Sequence, residues 1–436
     1  MKIEETILEQ NRHWRGESAA EGCVSRDLLE EIKLDSKFIE VIAGVRRSGK
    51  STIFYLLVDE LINRRGVDPG EILLVNFDHP VFVPYYAQAE KLDEIVSQAE
   101  ILTQKKIKYV FLDEVQNVRL WEKWVKAKYD AGVFEKIFIT GSNADLLEGE
   151  YISRLSGRYF ARINYPFSFK EFLRAKGQDY YRDYVRNYNL KYKLVGFFDK
   201  YLRYGGFPEA VENEEKDILV NYYQTIILKD VIAGNEIRDA YGLKQTAYYL
   251  ISNTAKLFSY NAIGKNLDLH ESTVKEYIDH LKQAYLFEDL KKFDYSIKKQ
   301  NRNPRKIYCA DNGLVSQVGF NFSLNSGRFL ENLVFLELKR KFGGVYYHSG
   351  EYECDFAVTE KSRRGKERIS RVFQVCYNLN QDNEKREIEG VLEAMEKYKL
   401  TRGTILTHNQ ADTISRGDKR INVLPVWRWM IEEKAD

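Results

Sequence analysis

The sequence predicts an α/β protein of several domains, on three observations. Its 436 residues suffice for roughly two to four domains of about 150 residues each. The part before residue 165 alternates β-branched apolar runs with helical periodicity, which is typical of a parallel sheet. Beyond that point the pattern is mainly helical, with two strands between 287 and 309, and further strands follow from residue 344.

The composition excludes several classes of protein. With 44% hydrophobic and 30% charged residues, the chain is not wholly disordered. Lys and Arg number 67 against 65 Asp and Glu, so the net charge of +2 limits any nucleic-acid surface to a local patch. The cysteines lack the spacing of metal ligands, which favours a reducing compartment. They are Cys23, Cys309, Cys354 and Cys376.

No targeting or membrane signal is found in the sequence. No apolar run reaches the ~18 residues of a membrane helix. Residues 1–15 are charged and lack the apolar centre of a signal peptide. We therefore expect a soluble, cytoplasmic protein with no membrane partner.

A glycine-rich loop follows the first apolar run, residues 38–43. It has the pattern G-x-x-x-x-G-K-S and precedes a helical pattern over residues 53–58, which is the context of a phosphate-binding loop. Backbone N–H groups and the helix N-terminus would face the phosphates, and Lys50 would reach the β- and γ-phosphates. The predicted nucleotide-binding residues are Gly44, Arg47, Ser48, Gly49, Lys50, Ser51 and Thr52.

Two acids end the apolar run over residues 109–112. A buried parallel strand would deliver Asp113 to the edge of the sheet where ligands bind, and there Asp113 and Ser51 would hold Mg²⁺. Glu114 follows and is the predicted general base that polarises the attacking water.

Three further runs, 72–77, 136–141 and 159–163, complete the predicted sheet. The second ends in small polar residues, of which Asn143 is our choice to sense the γ-phosphate or orient water, with Ser142 as the alternative. This order of strands matches P-loop ATPases that have a strand inserted beside the phosphate-loop strand, the division that includes AAA+ proteins.

The chain resembles a large prokaryotic group of uncharacterised AAA+ ATPases with a C-terminal domain of unknown function. The segments that carry the resemblance are Gly44–Ser51, Leu112–Gln116, Thr140–Asn143, Leu155–Arg158, Tyr165–Phe172 and Tyr204–Glu209. It implies that the chain binds and hydrolyses ATP.

In such enzymes an arginine often completes the site of a neighbouring subunit, where its charge stabilises the transferring phosphoryl group. Arg158 is our candidate, and Arg154 is the second. The alternative is a surface arginine before a strand. An arginine that acts in this way requires a homo-oligomer.

The middle of the chain predicts two modules. Residues 166–245 predict a helical lid in which tyrosines serve as core and interface. Residues 246–314 predict a winged helix-turn-helix, with helices over 246–257, 259–267 and 273–285 and strands near 287–293 and 306–309.

The predicted wing is strongly basic. Residues 291–306 hold seven Lys or Arg against one acid, a local charge of +6, and predict a flexible hairpin that contacts nucleic-acid phosphates. Winged helices also bind proteins, and basic hairpins can simply be solvated, so both alternatives stay open. The candidate contacts to nucleic acid, with DNA favoured, are Lys275, Lys298, Lys299, Arg302, Arg305 and Lys306.

Residues 315–436 resemble the restriction-endonuclease core in their order of helix, strands, helix and strand. Active members use a helix Glu, a strand Asp and then Glu-x-Lys, and Glu331 and Asp355 match the first two. Gln374 and Cys376 stand where a metal carboxylate and a lysine would be. We expect both metal affinity and water activation to suffer, so that the nuclease site is inactive.

The sequence therefore predicts four parts: an AAA+ domain over 1–165, a helical lid over 166–245, a winged helix over 246–314 and a nuclease-like domain over 315–436. The predicted cofactors are ATP and Mg²⁺. The predicted function is an ATPase that remodels or translocates on nucleic acid as an oligomer. The alternatives are a slow nucleotide-gated switch that acts through a protein partner and, third, an active nuclease.

Overall fold

The structure is a computed structural model of the chain, which divides into two compact units. Residues 1–165 with 283–285 form the first unit, and residues 166–282 with 286–436 form the second. The residues described are 3–144, 146, 155, 157–178, 188–320, 326–361 and 367–432. Arg154 therefore lies outside the described residues.

The first unit is built on a parallel sheet of five strands in the order β2-β3-β4-β1-β5. Because β4 lies between β1 and β3, the predicted insertion of a strand beside the phosphate-loop strand is confirmed. Parallel strands end at the same edge of the sheet, so the polar residues that follow β1, β3 and β4 are brought together. The strands are β1 Ile39–Ala43, β2 Ile72–Asn76, β3 Tyr109–Asp113, β4 Lys136–Gly141 and β5 Tyr159–Ile163.

Helices cover both faces of this sheet. Successive strand residues point to opposite faces, so Val41 packs into one apolar cluster with Trp121 while Ile42 packs into the other with Phe54 and Phe138. Burial on both faces explains why the strands read as unbroken apolar runs. The helices are α1 Ile3–Gln10, α2 Lys50–Asn63, α3 Leu92–Thr103 and α4 Trp121–Asp130.

Two side chains at the C-terminal end of α1 bond to the free edge of strand β2. The amide of Asn11 accepts from Leu74 N at 2.7 Å and donates to Leu74 O at 2.9 Å. Gln10 accepts from Asn76 N at 2.9 Å. These amides take the place of a further strand, because an unpaired edge would otherwise expose backbone donors and acceptors.

The second unit begins with helices, as expected. A π-helical segment, Ile226–Ala233, continues the fourth of them. The helices are α5 Phe169–Ala175, α6 Tyr188–Tyr204, α7 Pro208–Asn213 and α8 Ile218–Thr225.

Helices and a small sheet follow over residues 240–318. The helix predicted to begin at 246 begins at Ala240, and a third strand, β6, pairs with β8. The segment predicted as a flexible hairpin contains a short helix. The elements are α9 Ala240–Ser252, β6 Leu257–Phe258, α10 Tyr260–Leu267, α11 Glu271–Gln283, β7 Phe287–Leu290, α12 Ile297–Arg302, β8 Arg305–Cys309 and α13 Asn312–Val318.

The remainder forms a six-stranded mixed sheet in the order β13-β14-β12-β11-β10-β9. Strand β13 and helix α16 were not predicted. The elements are α14 Ser326–Lys341, β9 Gly344–Ser349, β10 Glu353–Lys361, β11 Glu367–Val375, α15 Glu384–Tyr398, β12 Arg402–Thr407, β13 Asp412–Arg416, β14 Lys419–Pro425 and α16 Val426–Ile431.

Every helix in the described part of the chain is too short or too polar to cross a lipid bilayer.

Replacing Asn11 with Ala should destabilise the first unit. The change leaves the N–H and the carbonyl of Leu74 without the partners that they now have, so we expect a loss of about 2 kcal/mol or more. Chemical unfolding measures the loss. Asn63→Ala is the matched control, because Asn63 is exposed and its amide donates to half-buried Asp59. Equal stability of the two variants would contradict the proposal that Asn11 satisfies the backbone groups at the free edge of β2.

Candidate functional site

The loop after β1 has the backbone geometry of a phosphate-binding turn. Gly49 has φ +90°, and Gly44 has φ +153°, where a Cβ would stand 2.2 Å from the carbonyl oxygen of Asn164. Both positions therefore require glycine. Helix α2 begins directly after the loop, so its N-terminal N–H groups face the same space.

Lys50 is buried and is held by the loop itself. Its Nζ donates to the carbonyl oxygens of Gly44 at 3.1 Å and Val45 at 3.3 Å. It also lies 3.7 Å from Oε1 of Glu114. A buried ammonium that is satisfied mainly by carbonyl oxygens has a stronger partner available in an anion such as a phosphate.

Asp113 lies at the end of β3 among hydroxyl and amide donors. Its Oδ2 accepts from Ser51 Oγ at 2.6 Å and from Asn76 Nδ2 at 3.0 Å, and its Oδ1 accepts from Thr140 Oγ1. Burial first, and then the neighbouring Glu114 charge, raise the pKa of Asp113 to about 6, and the bonds from Ser51 and Thr140 oppose that rise. Ser51 and Asp113 thus meet as predicted, and they offer the oxygen ligands that Mg²⁺ prefers.

Glu114 is fixed beside this group. Its backbone is left-handed, with φ +54°. Its Oε2 accepts from Gln116 Nε2 and, at 3.2 Å, from Ser142 Oγ. Ser142, the alternative choice at the end of β4, therefore bonds to Glu114, and Asn143 follows it and is half-buried.

Two residues that brace the loop were not predicted as parts of the site. Asn164 Nδ2 donates to Ser48 O at 2.9 Å and Ser48 Oγ at 3.2 Å. Arg26 donates to Ser48 O at 2.9 Å and Tyr165 O at 2.7 Å. Within the loop, Ser48 is fully buried and Arg47 is exposed. Thr52, on α2, is half-buried.

Arg158 lies at the opposite edge of the sheet. Its carbonyl accepts from Ile39 N at the start of β1, and its Nε donates to Asp130 at 2.7 Å. The acids at the end of β3 are at the other edge, because the strands are parallel. Arg158 therefore cannot complete the site of its own subunit.

Three of the predicted nucleic-acid contacts, Lys298, Lys299 and Arg302, are exposed on α12, and Lys275 is exposed on α11. Arg305 is half-buried and donates to Asp289 at 2.7 Å. The placement of Lys306 in an exposed hairpin is wrong, since Lys306 is 3% exposed. The reason is that alternation along β8 directs Lys306 and Tyr308 to the same side, toward Glu331.

Lys306 is bound by three carboxylates. Its Nζ lies 2.9 Å from Glu331, 2.8 Å from Asp355 and 2.7 Å from Glu353. Tyr308 adds a hydroxyl donor to Glu331 at 2.8 Å. We call these five residues the lysine cluster; the two acids that were expected to match a nuclease site both belong to it.

The charges of the lysine cluster are strongly coupled. Burial, and next the charge of Asp355, raise the pKa of Glu331 to about 7. Burial alone would lower the pKa of Lys306, but the carboxylates of Asp355 and Glu331 raise it well above its ordinary value. Lys306 therefore stays protonated and neutralises acids that would otherwise repel each other.

Gln374 is placed beside the lysine cluster. Its Oε1 accepts from Asp355 N at 3.0 Å, and its Nε2 donates to Glu387. Asp355 also accepts from Val375 N at 3.0 Å. Burial first raises the pKa of the Cys376 thiol to about 12. Gln374 is thus a neutral amide that links Asp355 to Glu387. The thiol of Cys376 stays protonated.

Two protein-family models match the chain. An AAA domain covers residues 36–173, and a domain of unknown function (DUF8612) covers residues 196–325.

Three curated proteins are similar over most of the chain. The uncharacterized protein MJ1544 of Methanocaldococcus jannaschii is 32% identical over 94% of this chain and 91% of its own length. An uncharacterized protein of Haemophilus influenzae is 34% identical over 70% of this chain and 76% of its own. MJ1637 of the same archaeon is 25% identical over 87% and 84%.

Solved structures overlap only weakly. The Aeropyrum pernix ORC1 protein in complex with DNA is 12% identical, covers 73% of this chain and 91% of its own, and has a TM-score of 0.29. AMPPCP-bound DnaA from Aquifex aeolicus is 16% identical, covers 64% and 91%, and has a TM-score of 0.25. Overlaps with such low TM-scores support no conclusion about this chain.

Replacing Lys306 with Met should destabilise the second unit, by about 3–5 kcal/mol, because it leaves buried carboxylates without their cation. Without the ammonium the pKa of Glu331 rises further above its unfolded value. The folded variant then keeps a proton that the unfolded chain has lost. Its loss of stability relative to the unchanged protein therefore grows as the pH rises from 5 to 8.

Urea unfolding at both pH values measures this effect. Lys298→Met is the matched control, since Lys298 is exposed. Glu331→Gln added to Lys306→Met should recover part of the stability. A deficit that is the same at both pH values would contradict the cluster's role as a charge balance.

Proposed function

Because the chain belongs to the same AAA+ family as these archaeal and bacterial relatives, we propose that it is an ATPase that binds ATP with Mg²⁺ at residues 44–52 and hydrolyses it. The observation that carries this proposal is the meeting of Lys50, Ser51, Asp113 and Glu114 at one edge of the sheet. The helical region over 166–245 stays the predicted lid.

Each residue of the site has a separate role in the proposed reaction. Lys50 exchanges the carbonyl oxygens of Gly44 and Val45 for the β- and γ-phosphates. Ser51 and Asp113 would hold Mg²⁺, which would supply positive charge to the phosphate oxygens. Glu114 takes the proton of the attacking water, and the donors Gln116 and Ser142 orient its carboxylate.

Arg158 is proposed to act on the site of a neighbouring subunit, which requires a homo-oligomer. Its position at the start of β5 excludes action within its own subunit. The ion pair with Asp130 fixes the guanidinium at the surface of the first unit until a neighbouring site replaces that carboxylate.

We propose that residues 246–314 form a winged helix that binds nucleic acid, with DNA as the favoured partner. Lys298, Lys299 and Arg302 are exposed on α12, and Lys275 is exposed on α11. Their charges suit phosphates, and backbone contact of this kind carries little sequence information. Lys306 is no longer part of this proposed surface.

The C-terminal domain over 315–436 is proposed to be nuclease-like in fold and inactive. In the lysine cluster the ammonium of Lys306 occupies the place between Glu331 and Asp355 that a divalent cation would need. Gln374 and Cys376 supply neither a metal carboxylate nor a free base. We therefore propose no metal-dependent cutting.

Three variants should separate the roles at the nucleotide site. Lys50→Ala should abolish binding of Mg²⁺-nucleotide in calorimetry, because the phosphates lose their cation. Glu114→Gln should bind nucleotide normally and slow hydrolysis by about 100-fold or more, since it removes the general base. Arg158→Ala should bind normally and slow hydrolysis strongly.

Lys123→Ala, an exposed change on α4, is the control. Normal nucleotide binding by Lys50→Ala would end the proposal of an ATP site at this loop. Unchanged turnover of Arg158→Ala would remove only Arg158 from the mechanism.

Neutralising the basic helix should weaken DNA binding. The variant Lys298→Gln, Lys299→Gln and Arg302→Gln should reduce the salt slope of the affinity by about 0.9 for each phosphate contact that duplex DNA loses. The control removes equal charge elsewhere, as Lys191→Gln, Lys193→Gln and Lys385→Gln. Identical slopes in both variants would refute nucleic-acid contact at α12.

DNA should also stimulate ATP hydrolysis several-fold. If DNA has no effect on hydrolysis while ATP changes the assembly of the chain, the slow nucleotide-gated switch becomes the better description.

A further inference from the structure

Two exposed apolar side chains accompany the cations of α12. Tyr295 is 79% exposed and precedes the helix, and Ile297 is 73% exposed and begins it. Single exposed apolar residues are common on protein surfaces. This pair differs because both residues lie in a short segment whose other exposed residues are mostly cations and amides.

The segment that carries Tyr295 is ordered by hydrogen bonds. Ser296 N donates to Asp294 Oδ1 at 2.8 Å, and Gln300 Nε2 donates to Asp294 O at 2.6 Å. Gln300 N donates to Ser296 O at 3.0 Å. These bonds order the turn that carries Tyr295, and its ring lies edge-to-face on Phe293 at a centroid distance of 5.1 Å, so that binding costs little further ordering.

Both ends of the segment are attached to strand β9. Phe293 N donates to Tyr347 O at 2.9 Å, and Tyr347 Oη donates to Pro304 O at 2.6 Å. Phe293 is buried and packs edge-to-face on Tyr346 and Tyr398. The segment that was expected to be a flexible hairpin is therefore attached to β9 at both ends, and Tyr295 projects from it.

The cations beside this ring are available. Within the described residues, the side chains of Lys298, Lys299 and Arg302 make no ion pair, whereas Arg305 is paired with Asp289. Helix α12 spans about 9 Å, a length comparable with the spacing of one or two nucleotides. A strand whose phosphates follow the cations would therefore bring its bases within reach of Tyr295.

We propose that residues 293–302 form a binding platform for single-stranded nucleic acid, in which Tyr295 stacks on an unpaired base while Lys298, Lys299 and Arg302 hold the adjoining phosphates. This deepens the proposed DNA binding at α12 and rests on it. Stacking needs an open base face, which a duplex does not offer along its length. The ring therefore adds affinity for single strands, and the cations serve single strands and duplexes alike.

The test compares a labelled 20-nucleotide single strand with a duplex of the same length by fluorescence anisotropy, using the full-length chain. Tyr295→Ala should weaken binding of the single strand by about 5- to 150-fold, the range found when one base loses its aromatic partner. It should change binding of the duplex less than 2-fold. Tyr295→Phe keeps the ring and should bind like the unchanged protein.

Controls separate stacking from charge and from folding. Tyr241→Ala removes another exposed tyrosine, 74% exposed on α9, and should not alter the preference. The triple variant Lys298→Gln, Lys299→Gln and Arg302→Gln should lose affinity for both DNAs. Unchanged far-UV circular dichroism and ATP hydrolysis establish that Tyr295→Ala is folded.

The outcomes are distinct. If Tyr295→Ala weakens both DNAs equally or neither, the stacking platform is wrong, while the loss of both DNAs in the triple variant still supports nucleic-acid binding at α12. If the unchanged protein binds neither DNA, the proposed nucleic-acid function fails and the platform fails with it.

Discussion

The buried carboxylate of Asp113 is the constraint on which the first unit depends. A buried carboxylate needs hydrogen-bond donors, and here they come from three different elements: Ser51 on α2, Asn76 on β2 and Thr140 on β4. Each donor can reach Asp113 only if its own strand ends, or its own helix begins, at the same edge of the sheet. The order β2-β3-β4-β1-β5 satisfies this, because β2 and β4 flank β3 and α2 follows β1.

The second unit solves the same physical problem with a lysine. The acids of the lysine cluster come from α14 and β10, and the ammonium comes from β8. A cation from β8 thus balances carboxylates that lie on α14 and β10. This ties the small three-stranded sheet to the six-stranded sheet by charge as well as by the backbone bonds between residues 291–293 and Tyr347.

The sequence predicted the positions of those parts of the candidate site that belong to local motifs. The loop at 44–51 and the acids 113 and 114 are recognisable because strand, turn and helix follow each other along the chain. Gln116, Thr140 and Asn164 lack such a pattern, since their roles arise from distances across the sheet. The strand order itself was predictable, whereas β13 and α16 are short elements without a clear periodicity.

The basic stretch shows why charge along a sequence does not determine exposure. Lys299 and Lys306 are seven residues apart in one basic run, yet one is exposed and the other is buried. The difference comes from strand alternation, which turns Lys306 toward acids that lie 25 and 49 residues further along the chain. No window of sequence around Lys306 contains that information.

The amides of Gln10 and Asn11 have a consequence for how copies of this chain can associate. They occupy the backbone groups of β2 that a strand from another molecule would have to pair with. Growth of the five-stranded sheet from one molecule into the next is therefore blocked on that side. A subunit that packs against the β2 side would be held there by side-chain surfaces, which can separate and rejoin more readily than a continuous intermolecular sheet.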